Sequence, residues 1–547
     1  MTEDKPSRIL TNSNNPLMDA FRRGLLRGVG IDTQDLAKRP LIAIVNSHSD
    51  LTTGHSHLAT LAQKVREGIL IGGGQAAEFN VPAPCDGVAM GHDGMRYVLA
   101  QRDLIADIVE THVRSQKFDG IVLIASCDKI NPGMMMAAAR LGLPAIYLAG
   151  GPGMWNIRNK PTYTGSVEHT DYPDMADQQS TVHCATCGAC EIMGTANTFQ
   201  CLSEAMGICL PGSANVPAFH TDKLLHARLT GTRIVDMVRE GLTFSKVLTW
   251  PALMNALKTN LAIGGSTNAT LHLPAIAKCA GFEMPLSLFD EWSRKIPTLL
   301  AVAPNGPYGI TDLWAAGGMP AVLKRLAPHL DLDCMTVTGR PLGAVIEHAA
   351  ILNATVIPPL EKPHRAEGGI AILTGNLAPD GSVIKAAGVR KDQQSFTGPA
   401  ICFSKEDDVA AAIQQQKIAA GSVIVIRYAG PSGAPGMPEM LGVTTMIRAF
   451  RLDAALITDG RYSGATSGVC VGHVSPEAIR GGPIAAVQDG DLITIDIPGR
   501  KLTLHVDDTE IACRLASVRH VHHETPRGFI ERYRRHVSSA ATGAVLE

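Results

Sequence analysis

No stretch of this 547-residue chain approaches the roughly 20 consecutive apolar residues that a membrane-spanning helix needs. Neither sign of charge is in excess: 49 Lys and Arg stand against 51 Asp and Glu, a formal net charge of -2. That balance gives no electrostatic case for nucleic acid or an anionic membrane as partner. The opening "MTEDKPSRIL" carries acids and lacks an apolar h-region, so no secretory leader is expected and the cytoplasm is the default location. Twelve cysteines are too few and too unevenly spread for a disulfide scaffold. The chain also lacks the phosphate-binding G-x-x-x-x-G-K-[ST] and a well-placed G-x-G-x-x-G. No internal repeat or low-complexity segment is present.

What remains is a well-packed globular composition, 45% hydrophobic and 18% charged, too long for one core. "PLIAIVNS" (40–47), "FDGIVLIASC" and "LPAIYLAGGPG" read as buried strands. Between them, "HLATLAQKVREGILIGG" and "PGMMMAAARLG" read as helices, the second opened near Pro132 and closed by Gly142. Strand–helix alternation over the first two thirds predicts a parallel sheet covered on both faces, with ligands bound beyond the carboxyl ends of its strands. From about Gly368 the texture changes to short β-rich runs split by Gly, Pro and Asp, ending in a hairpin at Pro498–Gly499. The expectation is therefore an α/β domain over 1–367 and a β-rich, barrel-like domain over 368–547, divided near "PPLEKPHRAEGG". The basic "VRHVHHETPRGFIERYRRHVSS" reads as a solvated helix.

The densest thiol group is "HCATCGACEIMGTANT", with Cys184, Cys187 and Cys190 at every third residue and Cys201 beyond. Such spacing lets thiolates converge on an iron–sulfur cluster. Zinc would want a second ligand pair, and redox-active thiols or plain structure are the other readings. Two more cysteines precede acids on separate loops: Cys85–Asp86 in "PAPCDGVAMGHDGM" and Cys127–Asp128, followed by Lys129, in "ASCDKINPGMMM". A core does not seat a carboxylate beside each thiol. The pattern suits soft sulfurs on a cluster and hard oxygens on a divalent ion such as Mg²⁺. Cys279, Cys334, Cys402 and Cys513 read as inert packing. The glycine-rich "GPSGAPGMPEML", carrying Glu439, and "TDGRYSGATSG", carrying Asp459, Arg461, Ser463 and Thr466, read as turns or as anion cradles.

Taken in order, "SCDKINPGMMMA", "CGACEIMGTANT", "AIGGSTNATLHLPAIA", "GGIAILTGNLAPDGSVIK", "GPSGAPGMPEML" and "ITDGRYSGATSGVCVGHVSPEA" resemble the motifs of the dihydroxy-acid dehydratase / phosphogluconate dehydratase family over nearly the whole chain. The resemblance implies a two-domain hydro-lyase acting as a homodimer or a dimer-based homotetramer. It implies cluster ligands at Cys127 and Cys190. Members with a 2Fe–2S cluster have a Cys where this chain has Gly54, in "LTTGHSHL". The departure points to a 4Fe–4S cluster on Cys85, Cys127 and Cys190, with 2Fe–2S, or Cys184 or Cys187 as a replacement ligand, as alternatives. Asp86, Asp128 and Glu439 match Mg²⁺ ligands. Lys129 matches a lysine that becomes a carbamate ligand, and Ser463 matches the base.

The implied reaction is dehydration of a 2,3-dihydroxy carboxylic acid to a 2-keto acid. "SGATSG" and "HVSPEA" are similar to the branched-chain amino-acid enzymes, while "EIMGTANT" and Cys85 lean toward sugar-acid and phosphogluconate types. The first expectation is a branched-chain dihydroxy acid, the second an aldonate. A non-catalytic iron–sulfur protein is the remote reading, since an electron carrier has no use for Mg²⁺ ligands or Ser463.

Overall fold

The computed structural model describes residues 5–154, 186–463, 466, 468–521 and 523–547. The N-terminal domain is built on a parallel sheet of β1 (Leu41–Asn46), β2 (Gln75–Asn80), β3 (Gly120–Ala125) and β4 (Ala145–Ala149), in the order β2-β1-β3-β4. β1, β3 and β4 are buried at every residue, as continuous apolar runs in a doubly covered sheet must be. Each fully buried Val, Leu or Ile there contributes about 1.5–3 kcal/mol. The edge strand β2, "QAAEFN", is only partly buried. The absence of a long apolar run hides it from sequence reading.

Helix Leu58–Ile71 lies against helix Thr221–Glu240. They touch backbone to backbone: a β-carbon on Gly68 would stand 1.9 Å from the Arg228 carbonyl oxygen, and one on Gly231 2.1 Å from that of Val65. Helices Ala100–Gln116 and Ile130–Leu141 form a second packed pair. The last ends at Gly142, whose left-handed φ of 64° closes it.

Strand–helix alternation does not run through two thirds of the chain. The sheet is complete at Ala149, and the described residues from 195 to 346 are helices and loops. Largely buried helices such as Trp250–Ala262 and Ala269–Cys279 have a weak amphipathic period, which makes them hard to tell from strands in sequence.

The C-terminal domain is a closed barrel, in the order β10-β6-β5-β12-β11-β7-β8-β9. Its strands are β5 (Ala371–Gly375), β6 (Ala378–Ile384), β7 (Ser395–Phe403), β8 (Ser422–Ile426), β9 (Ala454–Thr458), β10 (Cys470–Ser475), β11 (Leu492–Asp496) and β12 (Lys501–Leu504). β11 and β12 form the expected hairpin. β7, β8, β9 and β10 run parallel, with helix Glu406–Gln414 between β7 and β8 and helix Leu441–Ala449 between β8 and β9. Closure removes the exposed edges that an open sheet would leave.

Two further expectations change. Helix Phe529–His536 is not merely solvated: Ile530 and Tyr533 are buried with Leu99, Leu271 and Met437, which ties the two domains together. Cys513 is exposed and so does not serve as packing.

Candidate active site

The carboxyl ends of all four N-terminal strands converge. β1 leads to Gly54 and His55, β2 to Cys85 and Asp86, and β3 to Cys127, Asp128 and Lys129. β4 leads to a turn in which Pro152 bridges to Ala189, beside Cys190. Barrel strand β8 runs out toward Glu439, and β9 toward Arg461 and Ser463.

Asp86, Asp128 and Glu439 each place a carboxylate oxygen within 4.8 Å of the others. This is the one such gathering of potential metal ligands among the described residues, and it draws on both domains. Two buried cations face it. The Lys129 Nζ lies 2.8 Å from Asp86 Oδ2 and 2.8 Å from Asp128 Oδ2. Arg461 donates from Nη1 to Glu439 Oε2 at 2.7 Å, and its Nη2 lies 3.6 Å from Asp86 Oδ2. Asn268 Nδ2 reaches the same Glu439 oxygen at 3.4 Å. Burial acts against ionised Asp128, but the Lys129 charge, with His272 and Arg461, holds its carboxyl well below the usual range. Burial pushes Glu439 up, against the pull of Arg461.

Asp86 Oδ1 and Asp128 Oδ1 are buried without a hydrogen-bond partner. Buried carboxylate oxygens in that state are costly, and a divalent cation satisfies them. The donor set therefore fits Mg²⁺.

The thiols of Cys85, Cys127 and Cys190 form a second group. Burial pushes the Cys127 thiol far up, and the neighbouring Cys85 and Cys190 push it further. Burial and the charges of Asp86 and Asp128 raise Cys85. Cys85 and Cys127 are half-buried and Cys190 is exposed. Thiols that raise one another in this way become thiolates readily only against a cation, so the set fits an iron–sulfur cluster open to solvent on one side. Burial alone raises Cys187. Cys201 is buried and accepts from Asn215 Nδ2 at 3.2 Å, away from the thiol group. Cys184 lies outside the described residues.

Sequence reading missed several residues that hold these groups. His55 is fully buried; its Nδ1 lies 2.6 Å from the Ser47 carbonyl, and its Nε2 accepts the Cys127 N–H at 2.9 Å. The Arg102 guanidinium and His272 are fully buried behind Asp128. A histidine inside "TLHLPA" and an arginine opening a long helix are common as satisfied core residues, so neither stood out.

Ser463 is nearly buried, two residues after Arg461. The intervening Tyr462 is pinned to the barrel: its hydroxyl accepts the Lys385 N–H at 3.0 Å and donates to the Val383 carbonyl at 3.2 Å. The Thr466 N–H donates to the Ser463 carbonyl at 2.9 Å.

The glycine-rich loop before Glu439 is not an open anion cradle. Glu477 accepts the N–H groups of Ser432 and Gly433, the latter at 2.8 Å. Asp459 accepts those of Tyr428, Ala429 and Ala478 at 3.2, 2.8 and 2.9 Å. The protein's own carboxylates occupy these amides.

Residues 39–345 match the N-terminal profile of the dihydroxy-acid/6-phosphogluconate dehydratases, and residues 355–544 match the C-terminal one. The chain is 47% identical over 538 residues to a dihydroxy-acid dehydratase of Methanothermobacter thermautotrophicus, covering 96% of this chain and 98% of that protein. It is 45% identical to one of Ignicoccus hospitalis (96% and 98% covered) and 44% to one of Caldanaerobacter subterraneus (96% and 97%).

Proposed function

Because this chain belongs to the dihydroxy-acid/6-phosphogluconate dehydratase family of hydro-lyases, we propose that it dehydrates 2,3-dihydroxy acids of branched-chain amino-acid synthesis to 2-keto acids. The observation that carries the reading is the two-domain carboxylate cage of Asp86, Asp128 and Glu439 set beside the three thiols. Cys85, Cys127 and Cys190 would hold a 4Fe–4S cluster, and the three carboxylates, joined by a carbamylated Lys129, would hold Mg²⁺. When bound, such groups supply Lewis acidity toward the C3 hydroxyl and neutralise charge at the carboxylate and C2 oxygen.

The protein's own part is orientation and proton transfer. Ser463 Oγ takes the C2 proton; Arg461, two residues away, supplies fixed positive charge that favours its alkoxide. Hydroxide leaves C3, and the resulting enol tautomerises to the keto acid. The buried walls around Lys129 and Arg461 keep bulk water from competing.

Near-full-length likeness to proteins named dihydroxy-acid dehydratase supports a branched-chain substrate. The occupied amides of the glycine-rich loop argue against phosphate recognition there. No helix among the described residues is long and apolar enough to cross a membrane. We place the enzyme in the cytoplasm, as a homodimer or a dimer of dimers. The deciding experiment is an anaerobic keto-acid assay of cluster-loaded protein on 2,3-dihydroxyisovalerate and on C4 to C6 aldonates. Turnover of the first is expected; activity confined to aldonates would overturn the substrate assignment.

A further inference from the structure

Behind the carboxylate cage lies a chain of buried polar contacts that the proposed chemistry does not use. The Arg102 guanidinium is fully buried and all its N–H groups have acceptors. Nε and Nη2 donate to Asp103 Oδ2 at 3.1 and 3.0 Å, and Nη2 also donates to the Ala544 carbonyl at 2.7 Å. Nη1 donates to the Gly543 carbonyl at 3.0 Å and to His272 Nδ1 at 3.2 Å. Asp103 in turn accepts the Leu546 N–H at 3.0 Å. The segment 543–546 therefore clamps Arg102 in one place.

An arginine only donates, so His272 Nδ1 must carry the lone pair. The imidazole is then neutral, with its proton on Nε2. That N–H faces Asp128 Oδ1 at 3.5 Å, longer than a good hydrogen bond, and neither atom has a hydrogen-bond partner, so each is the nearest polar group the other has to satisfy it. The Phe199 ring packs against His272 in a T-shaped contact, with centroids 5.4 Å apart, and the residue is fully buried, which restricts its rotation.

We propose that His272 is a positioning residue for Asp128, locked by Arg102 in the Nε2–H tautomer that fixes which way the carboxylate turns. The inference rests on the reading of Asp128 as a divalent-cation ligand. Carboxylates that ligate metals depend on such outer contacts, and losing one costs about 10–100-fold in affinity.

The probe is Mn²⁺, titrated by EPR into full-length, cluster-loaded protein. Wild type is expected to bind it and Asp128→Asn to lose it; a wild type that binds none overturns the cation site and this inference with it. With wild-type binding established, His272→Leu is expected to weaken affinity by about 10–100-fold. His272→Gln, whose amide can accept from Arg102 and donate to Asp128, is expected to recover most of it. Undiminished affinity in the Leu variant, or no recovery in a folded Gln variant, overturns the positioning role alone. Should the Leu chain fail to fold, His272→Asn replaces it. Its amide accepts from Arg102 but is too short for Asp128, so wild-type affinity there overturns the inference.

Discussion

A β-carbon at Gly54 would stand 2.6 Å from Cys127 Sγ. The loop leaving β1 thus lies directly on the thiol that leaves β3, with only backbone between them. Two hydrogen bonds hold it there: the Gly188 N–H to the Thr53 carbonyl at 3.3 Å, and the Cys127 N–H to His55. Gly54→Ala must push the sulfur aside or shift the loop, at a cost of about 1–3 kcal/mol. We expect the variant to fold with a lowered Tm and to carry much less iron and acid-labile sulfide per chain. Wild-type iron content in Gly54→Ala would show that Cys127 is not a cluster ligand at this spot.

Lys129 is the pivot of the carboxylate cage. Its ammonium sits at 2.8 Å from both aspartates and is completely buried. Removing one partner of such a buried set costs about 3–5 kcal/mol, so Lys129→Ala tests stability more than function. Lys129→Arg keeps the charge and both ion pairs but cannot form a carbamate. It is expected to stay folded, to lose Mn²⁺ binding, and to lose turnover. Native mass spectrometry should find a CO₂ adduct on wild type and none on the variant. Turnover by Lys129→Arg near the wild-type rate would remove the carbamate from the mechanism.

Much of this architecture was legible because it is written in short, local chemistry. β1, β3 and β4 announce themselves as unbroken apolar runs, and the Cys–Asp pairs stand where a core would not seat them. β2 was missed because an edge strand half in water has no such run. Strand–helix alternation is expected over the first two thirds, but after Ala149 the described elements up to 346 are helices; where a helix is buried on all sides its 3.6-residue period fades. The site residues the sequence hid are those whose meaning is only spatial. His55 reaches Cys127 across 72 positions, and Arg102 reaches His272 across 170. The role of Gly54 lies in the side chain it lacks. "GPSGAPG" left turn and anion cradle both open in sequence; its amides at Ser432 and Gly433 are filled from within by Glu477.

Those filled amides make a prediction about specificity. Inorganic phosphate should not inhibit competitively through this loop, and 6-phosphogluconate should be turned over with a far lower kcat/KM than 2,3-dihydroxyisovalerate. Glu477→Ala would strip acceptors from Ser432 and Gly433, each lost buried bond costing about 1–3 kcal/mol. The loop carries Glu439, so the variant is expected to show both a lower Tm and weaker Mn²⁺ binding. Tight competition by phosphate in the wild type would contradict the closed loop.

Lys223 gives a pH dependence that does not involve the proposed metal or cluster ligands. Its amine is fully buried and donates to the carbonyls of Ala149 and Ser213, at 3.1 and 2.7 Å. Burial pushes it down to about 7, against the raising influence of Cys209 and Glu204, from an ordinary value of 10.5. Between these two values the unfolded chain binds the proton and the folded one does not, so folding stability rises with pH from about 7 to about 10.5 and then levels. Lys223→Met abolishes the titration, and its unfolding free energy is expected to rise less over that window than the wild type's. Denaturant unfolding in steps from pH 7 to pH 10 measures both slopes; parallel curves would mean that the Lys223 amine is not held neutral by its burial.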